Sequence, residues 1–184
     1  MERLLRRDRS KGMRASIKGF TIVELLIVIV IIGILAAIVI VAYNGVNDNA
    51  NKTKVASELR QWQKLYEGYK ATYGTYPAMA NGSYCLGTGF STGYCSYIYG
   101  PTIYSYPESA GAPIMTELSK IGKPPTNSSK WSVDNNMGPW VVYNNPYISL
   151  YTVVKGSTAT DCPTGMTPGY YDSAAKRLHC SIDL

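Results

Sequence analysis

The chain has 184 residues, a formal net charge of +6 and four cysteines, and 46% of its residues are hydrophobic. Residues 1–19 contain seven Lys or Arg and two acidic residues, so that +5 of the charge lies there and about +1 remains for the rest. The basicity therefore gives no argument for nucleic-acid binding by the larger part, which is long enough for one domain besides a membrane segment.

Residues 20–41 form a run of 22 residues in which Glu24 is the single ionisable side chain. At about 1.5 Å per helical residue, this length suits one passage through a hydrocarbon layer about 30 Å thick. Its 17 Phe, Ile, Leu and Val residues favour insertion by roughly 5–10 kcal/mol, against about 2.5–3.5 kcal/mol for a central acid. The run is therefore predicted to span a membrane, with the preceding basic residues in the cytoplasm and the carboxy-terminal bulk outside it.

The junction between the basic and apolar stretches reads Gly-Phe-Thr-x-x-Glu-Leu from Gly19 to Leu25, with Lys18 before it. This pattern resembles the class III signal of type IV pilins and their pseudopilin relatives. In that family a membrane-embedded prepilin peptidase cuts after the glycine, and the new amino-terminal residue, usually Phe, is N-methylated. The resemblance covers residues 18–43. It is specific for the family and does not distinguish its subtypes.

The resemblance implies a role for each residue at this junction. Lys18 and Gly19 would be recognised by the peptidase, cleavage would fall between Gly19 and Phe20, and Phe20 would be N-methylated. Glu24 would face the amino terminus of Phe20 on a neighbouring subunit and set the stacking register, because an unpaired carboxylate in apolar surroundings is costly. The alternatives are a tolerated polar residue at position 24, and an uncleaved anchor or ordinary secretory signal for the whole segment.

The resemblance also divides the chain into segments. Met13 offers an internal start, which would give a seven-residue leader without changing the cleavage site. Val41 stands where many pilins have Pro, so whether the helix loosens between Gly33 and Val41 stays open. The predicted segments are a cleaved leader (residues 1–19), a transmembrane and filament-core helix (20–42), and an extracytoplasmic globular head that includes the second half of the long helix (43–184).

A second helical stretch follows a segment of poor helix formers. Residues 44–51 are rich in Asn, which costs up to about 0.7 kcal/mol relative to Ala, and contain a Gly, which costs about 1 kcal/mol. Beyond them, apolar residues recur at intervals of three and four, which favours one continuous helix from Phe20 to about Tyr73, ended by Gly74. The apolar positions are Val55, Leu59, Trp62, Tyr66, Tyr69 and Tyr73.

The remainder is predicted to form a small sheet. Residues 82–107 are rich in Gly, Ser, Thr and Tyr without a clear period and are predicted to be a loop. A short helix is expected at residues 113–121. A hairpin is the clearest strand signal, at residues 140–143 and 147–154, and a further strand at 177–182 has 169–171 as its partner. The predicted fold is α+β: a long amino-terminal helix, membrane span plus amphipathic half, packed on a small antiparallel sheet, as in pilins.

Cys85, Cys95, Cys162 and Cys180 are disulfide candidates. Sequential pairing would close loops of about 11 and 19 residues, each worth about 3 kcal/mol, but three connectivities are possible and the sequence does not choose among them. Zinc is disfavoured because there is no Cys-x-x-Cys pair and His179 directly precedes Cys180, so that their side chains point apart in a strand. His179 is predicted to be exposed.

Other motifs have ordinary explanations. The 16 tyrosines are interpreted as core and rim of a small domain rather than as an adhesive surface. The Asp134–Asn136 segment could offer oxygen ligands to calcium, but a turn explains it equally well, and the glycosylation patterns at Asn81 and Asn127 are weak evidence. One histidine and no paired nucleophile argue against an enzyme, and no metal or cofactor is predicted. The basic residues of the head are scattered and leave nucleic-acid binding uncertain: Lys120, Lys123, Lys130, Lys155, Lys176 and Arg177.

These features predict a structural subunit of a type IV pilus, used in adhesion, motility or DNA uptake. The precursor would be a single-pass protein of the cytoplasmic membrane with its head outside. After cleavage by prepilin peptidase, an inner-membrane assembly platform would build it into an extracellular homo-oligomeric filament by helical stacking. Two alternatives stay open: a pseudopilin of a type II secretion or competence machine, and a minor or tip pilin that binds a surface or DNA.

Overall fold

The computed structural model describes residues 19–90, 93–99, 102–125 and 137–184, and within these ranges it does not describe the side chains of 41–44 and 97–99. The predictions for Met13, Lys18 and the other leader residues before Gly19 lie outside the described residues, as do those for residues 127–129 and 134–136. The chain divides into two compact units with the boundary between residues 43 and 44.

Helix α1 runs from Ile22 to Tyr73 and confirms the continuous helix predicted from the sequence. It ends before Gly74, whose φ of 80° lies in the left-handed region that glycine adopts without strain. The Asn-rich residues 44–51 belong to the helix. Their composition costs roughly 4–5 kcal/mol relative to alanine, so their helical state depends on stabilisation from other parts of the head.

One face of α1 forms the centre of the head. Val55, Leu59, Trp62 and Tyr66 are buried at the three- and four-residue spacing that predicted an apolar face. Tyr73 is 50% exposed, so the buried face ends before the last position of the predicted series. The cluster around this face is completed by a short helix, α2 (Ala112–Leu118), and by one side of a sheet.

The strands in the described residues are β1 (Gly82–Cys85), β2 (Tyr94–Tyr99), β3 (Thr102–Pro107), β4 (Trp140–Asn144), β5 (Tyr147–Lys155), β6 (Thr167–Asp172) and β7 (Arg177–Asp183). Five of them form an antiparallel sheet in the order β1-β4-β5-β7-β6. The predicted hairpin is present as β4 and β5, with Val142 opposite Ser149, and the predicted strand near the carboxy terminus is present as β7.

The loop predicted for residues 82–107 is wrong, because three strands lie there. β1 has four residues and pairs with β4, so that Gly82 lies opposite Tyr143. Such a short strand shows no alternation of its own, and its partner is far away in sequence. Among the described residues, β2 and β3 form a separate two-stranded sheet. The side chains of β3 are mostly exposed, so this strand has no alternation of buried and exposed residues that the sequence could show.

A 3₁₀ turn at Glu108–Gly111 leads into α2, which spans Ala112–Leu118 and is shorter than the predicted 113–121. Ile114 and Leu118 are fully buried against the α1 side of the core. Gly111 packs so closely on the carbonyl oxygen of Cys85 that a Cβ at this position would clash with it. The turn therefore covers backbone of the edge strand β1.

Two disulfides join sequential cysteines, Cys85 to Cys95 and Cys162 to Cys180, with Cα atoms 5.7 and 5.8 Å apart. All four sulfur atoms are therefore unavailable as thiolate ligands for zinc. The first disulfide links β1 to β2 and lies in a second apolar cluster with Phe90, which also contains Met137, Trp140 and Val153.

His179 is 6% exposed, so the predicted exposure is wrong. Its ring lies edge-on between those of Trp140 and Tyr170, with centroids 5.6 and 5.7 Å away. The prediction was based on the alternation of His179 with the neighbouring Cys180 in a strand. His179 is buried all the same, because the sheet face that it shares with Trp140 is also covered. Burial lowers the pKa of His179 to about 4, against the opposing effect of the Asp172 charge.

Acidification should destabilise the head through His179. Between its ordinary pKa of 6.5 and the folded-state value of about 4, the unfolded chain binds more protons than the folded chain, so stability falls as the pH falls. We expect a loss of up to about 1.4 kcal/mol per pH unit, reaching about 3 kcal/mol below pH 4. Urea denaturation of the full chain in detergent, followed by tryptophan fluorescence, measures this dependence.

The control is His179→Gln, which removes the titrating group. Whatever its stability at neutral pH, this variant should show a shallower slope across the same window. Equal slopes for the variant and the wild type would show that other groups cause the acid sensitivity.

Candidate processing and assembly site

The residues at the predicted cleavage junction lie outside the helix. Gly19, Phe20 and Thr21 precede the first helical residue, Ile22. Phe20 is 86% exposed, and no described atom lies within 4 Å of the place that a Cβ on Gly19 would occupy. An exposed, non-helical peptide bond between Gly19 and Phe20 has the geometry that a peptidase cleft requires, because a helical bond is committed to its own hydrogen bonds.

Thr21 and Glu24 cap the amino terminus of α1 by reciprocal hydrogen bonds. The backbone N–H and the hydroxyl of Thr21 both donate to Glu24 Oε2, each at 2.8 Å, and the backbone N–H of Glu24 donates to Thr21 Oγ1 at 3.2 Å. This is a capping box, in which Ser or Thr and an acidic residue three positions later satisfy each other's backbone donors.

The sequence reasoning missed this role of Thr21. The signal was present, because Thr-x-x-Glu directly before an apolar run is the pattern of a capping box. The box explains why an acid is tolerated at the start of an apolar helix: its charge faces the positive end of the helix dipole and accepts donors that otherwise lack partners.

The arrangement leaves part of Glu24 free for another partner. Both donors from Thr21 reach the same oxygen, Oε2, and no hydrogen bond from the described residues reaches Oε1. Cleavage after Gly19 would convert the Phe20 nitrogen into a charged amine next to this cap. The site therefore combines a carboxylate with spare acceptor capacity and a potential ammonium group, while their pairing between subunits stays a prediction.

The surface behind the cap is apolar and exposed. The large apolar side chains from Ile22 to Ile40 are 49–79% exposed. Within the described part of the chain, α1 is the one helix long and apolar enough to cross a membrane, with a mean hydropathy of 3.6 over its most apolar window. A continuous apolar surface of this extent requires lipid or other apolar helices around it.

The other residues predicted for function are placed elsewhere. The four cysteines form structural disulfides in the head. Among the described residues, no group of three or more His, Cys, Asp or Glu is arranged to hold a metal ion. The candidate site is therefore the amino-terminal segment from Gly19 to Glu24 together with the apolar helix that follows it.

Comparisons with known proteins agree with this location. Residues 14–40 match the family model for the prokaryotic N-terminal methylation motif. Over 73 residues the chain is 37% identical to the type II secretion system core protein G of Klebsiella michiganensis, covering 40% of this chain and 51% of that protein. The corresponding protein of Escherichia coli K12 is 38% identical over 72 residues, which cover 38% of this chain and 50% of the relative.

The type IV major alpha-pilin of Moraxella bovis is 55% identical over 42 residues, which cover 23% of this chain and 26% of the pilin. The chain thus spans about half the length of the secretion proteins it matches, and about a quarter of the pilin. No solved structure shows a significant match. The chain thus carries the methylation motif of type IV prepilins, and over part of its length it is homologous to core protein G of type II secretion systems and to type IV pilins.

Proposed function

We propose that this chain is a structural subunit of a type IV pilus. The observation that carries the proposal is the apolar first half of helix α1 (residues 22–40), which lies within the matched methylation motif of residues 14–40 and exposes a continuous apolar surface. In this proposal the apolar half anchors the precursor in the cytoplasmic membrane, with the head outside. After processing it packs against the same segment of neighbouring copies, since both environments bury the same side chains.

In this proposal the processing step takes place at the exposed junction between Gly19 and Phe20. Prepilin peptidase would bind Lys18 and Gly19, cut the exposed bond before Phe20 and release a subunit whose amino terminus is then N-methylated. The new amine lies next to the capped carboxylate of Glu24. In the stack, each amine would meet Glu24 of a neighbouring subunit, which fixes the register because any other register leaves a charge unpaired in apolar surroundings.

The similarities support a second candidate equally well. Several relatives are core protein G of type II secretion systems, so this chain is also a candidate for a pseudopilin, which would form a short filament within a secretion machine. Both candidates use the same amino-terminal chemistry. No particular observation favours the third possibility, a tip subunit that binds a surface or DNA.

Location separates the two candidates. If the chain is a pilus subunit, filaments sheared from the cell surface should contain it as their main protein, measured by quantitative mass spectrometry of the sheared fraction. If it is a pseudopilin, it should stay with the cell envelope, and its deletion should block the release of secreted proteins. Absence from sheared filaments together with normal secretion would contradict both roles.

Processing should depend on Gly19. Replacement by valine adds a branched Cβ at the position before the cut, so we expect Gly19→Val to accumulate the uncleaved precursor, whereas Gly33→Val in the apolar helix should be cleaved normally. Mass spectrometry of the amino-terminal peptide should find wild-type chains that begin at Phe20 and carry one added methyl group. A mature terminus at another residue would refute this cleavage site.

Two substitutions at Glu24 separate its capping role from its charge. Glu24→Ala removes both, whereas Glu24→Gln retains a side chain that can complete the capping box. Both variants should be cleaved, and both should be incorporated at least about tenfold less than wild type into mixed filaments, measured by isotope-labelled peptide ratios. Glu67→Ala, an exposed acid on the same helix, is the control. Normal incorporation of Glu24→Gln would show that the cap, rather than the ion pair, matters for assembly.

A further inference from the structure

Residues 44–53 of α1 are helical although their amino-acid composition disfavours a helix. This stretch begins the second compact unit of the chain, and four of its first eight residues are Asn. Asn side chains compete with the helix for backbone hydrogen bonds, and Gly45 loses more conformational entropy than any other residue type. The hydroxyl of Thr53 donates to the carbonyl oxygen of Asn49 at 2.9 Å, a contact that tends to bend a helix.

Burial of apolar side chains does not compensate for this composition. From Gly45 to Lys52 every side chain is exposed or half-buried, and Val46 is 68% exposed. In this stretch and the turn that follows it, the first buried apolar side chain is Val55. Hydrophobic packing against the sheet therefore begins after the stretch has ended.

Two ion pairs join this stretch to the rest of the head. Lys155 Nζ, at the end of β5, lies 2.8 Å from Asp48 Oδ2. Lys52 Nζ lies 2.8 Å from Asp161 Oδ2 in the connection between β5 and β6. Asp161 is held in place by Ser157, whose backbone N–H and hydroxyl donate to the same oxygen at 2.9 and 3.2 Å. Among the described residues, these are the two ion pairs that include a residue of the stretch 44–53.

The geometry of the pairs depends on the helix. Asp48 and Lys52 are four residues apart, which places them on one face of a helix about one turn apart. In an extended chain Asp48 and Lys52 would lie about 13 Å apart. Asp48 could then not pair with Lys155 while Lys52 pairs with Asp161. The pairs also border an open cavity of about 410 Å³ that Lys176 helps to line. Water and salt therefore reach them and weaken them by screening.

We propose that the pairs Asp48–Lys155 and Lys52–Asp161 form an electrostatic latch that keeps residues 44–53 helical, and that the open latch turns this stretch into an extensible link between the apolar helix and the head. Ten residues rise about 15 Å as a helix and span up to about 33 Å when extended. Opening therefore adds up to about 18 Å of reach while the core of the head keeps its packing. The latch operates in either of the filaments proposed above.

Hydrogen–deuterium exchange of the full chain in detergent micelles tests the latch. In Lys52→Gln/Lys155→Gln we expect amides of residues 44–53 to exchange about tenfold faster than in the wild type at low salt. Wild-type exchange in this stretch should accelerate as sodium chloride is raised. The matched control is Lys54→Gln/Lys64→Gln, which removes two exposed lysines of the same helix that make no ion pair with the described residues.

Charge reversal distinguishes the latch from helix propensity. Lysine is a better helix former than aspartate, so propensity alone predicts slower exchange in Asp48→Lys. The latch predicts faster exchange, because the new lysine faces Lys155, and predicts restored protection in Asp48→Lys/Lys155→Asp. Unchanged exchange in the double glutamine variant overturns the proposal. Acceleration that extends equally into β4 and β5 also overturns it, because the pairs would then stabilise the head as a whole.

Discussion

The exposed apolar surface on the first half of α1 is the constraint on which the rest of the structure depends. Nineteen residues from Ile22 to Ile40 include no charged side chain except Glu24, and each large apolar side chain among them is about half exposed or more. At about 25 cal/mol per Å² of apolar surface, leaving such a helix in water is strongly unfavourable. This surface suits the two successive apolar environments of the proposed function, a membrane and the interior of a filament.

That constraint explains the form of the amino terminus. The first turn of any helix has backbone N–H groups without partners, and in an apolar environment water does not replace them. Within one chain, the Glu24 carboxylate accepts from the backbone N–H of Thr21, and the Thr21 hydroxyl oxygen accepts from the backbone N–H of Glu24. The same carboxylate keeps an oxygen available for the amine that cleavage would create. In the proposed filament, the cap within one subunit and the contact between subunits would thus use the same side chain without competing for the same oxygen.

The second half of α1 has the opposite surface pattern and a different purpose. Val55, Leu59, Trp62 and Tyr66 are buried in a core that α2 and one side of the sheet complete. The other side of the sheet is covered around His179 and the Cys85–Cys95 disulfide. Disulfides persist in oxidising compartments, which agrees with the proposed position of the head outside the cytoplasm. Between the two halves lies a polar stretch whose supports are ion pairs, which are weaker and more sensitive to salt than a core.

Much of the fold and part of the site were predictable from the sequence. The apolar run, the helical face from Val55 to Tyr66, the hairpin around Asn145 and the junction at Gly19 are all encoded by neighbouring residues, through composition, period or motif. The capping role of Thr21 was equally local and was missed only because Glu24 was considered without its partner three positions earlier.

By itself, then, the sequence determined the membrane-length helix, the methylation motif and the α+β class, because each depends on residues within one or two helical turns or one hairpin. The tertiary structure alone decided what depends on distant partners. These features are the strand β1 that pairs with β4, the burial of His179 beside Trp140, the pairing of the cysteines, and the ion pairs made by Asp48 and Lys52. Their common physical reason is that a short or intrinsically unfavourable segment takes its structure from contacts supplied by residues far along the chain.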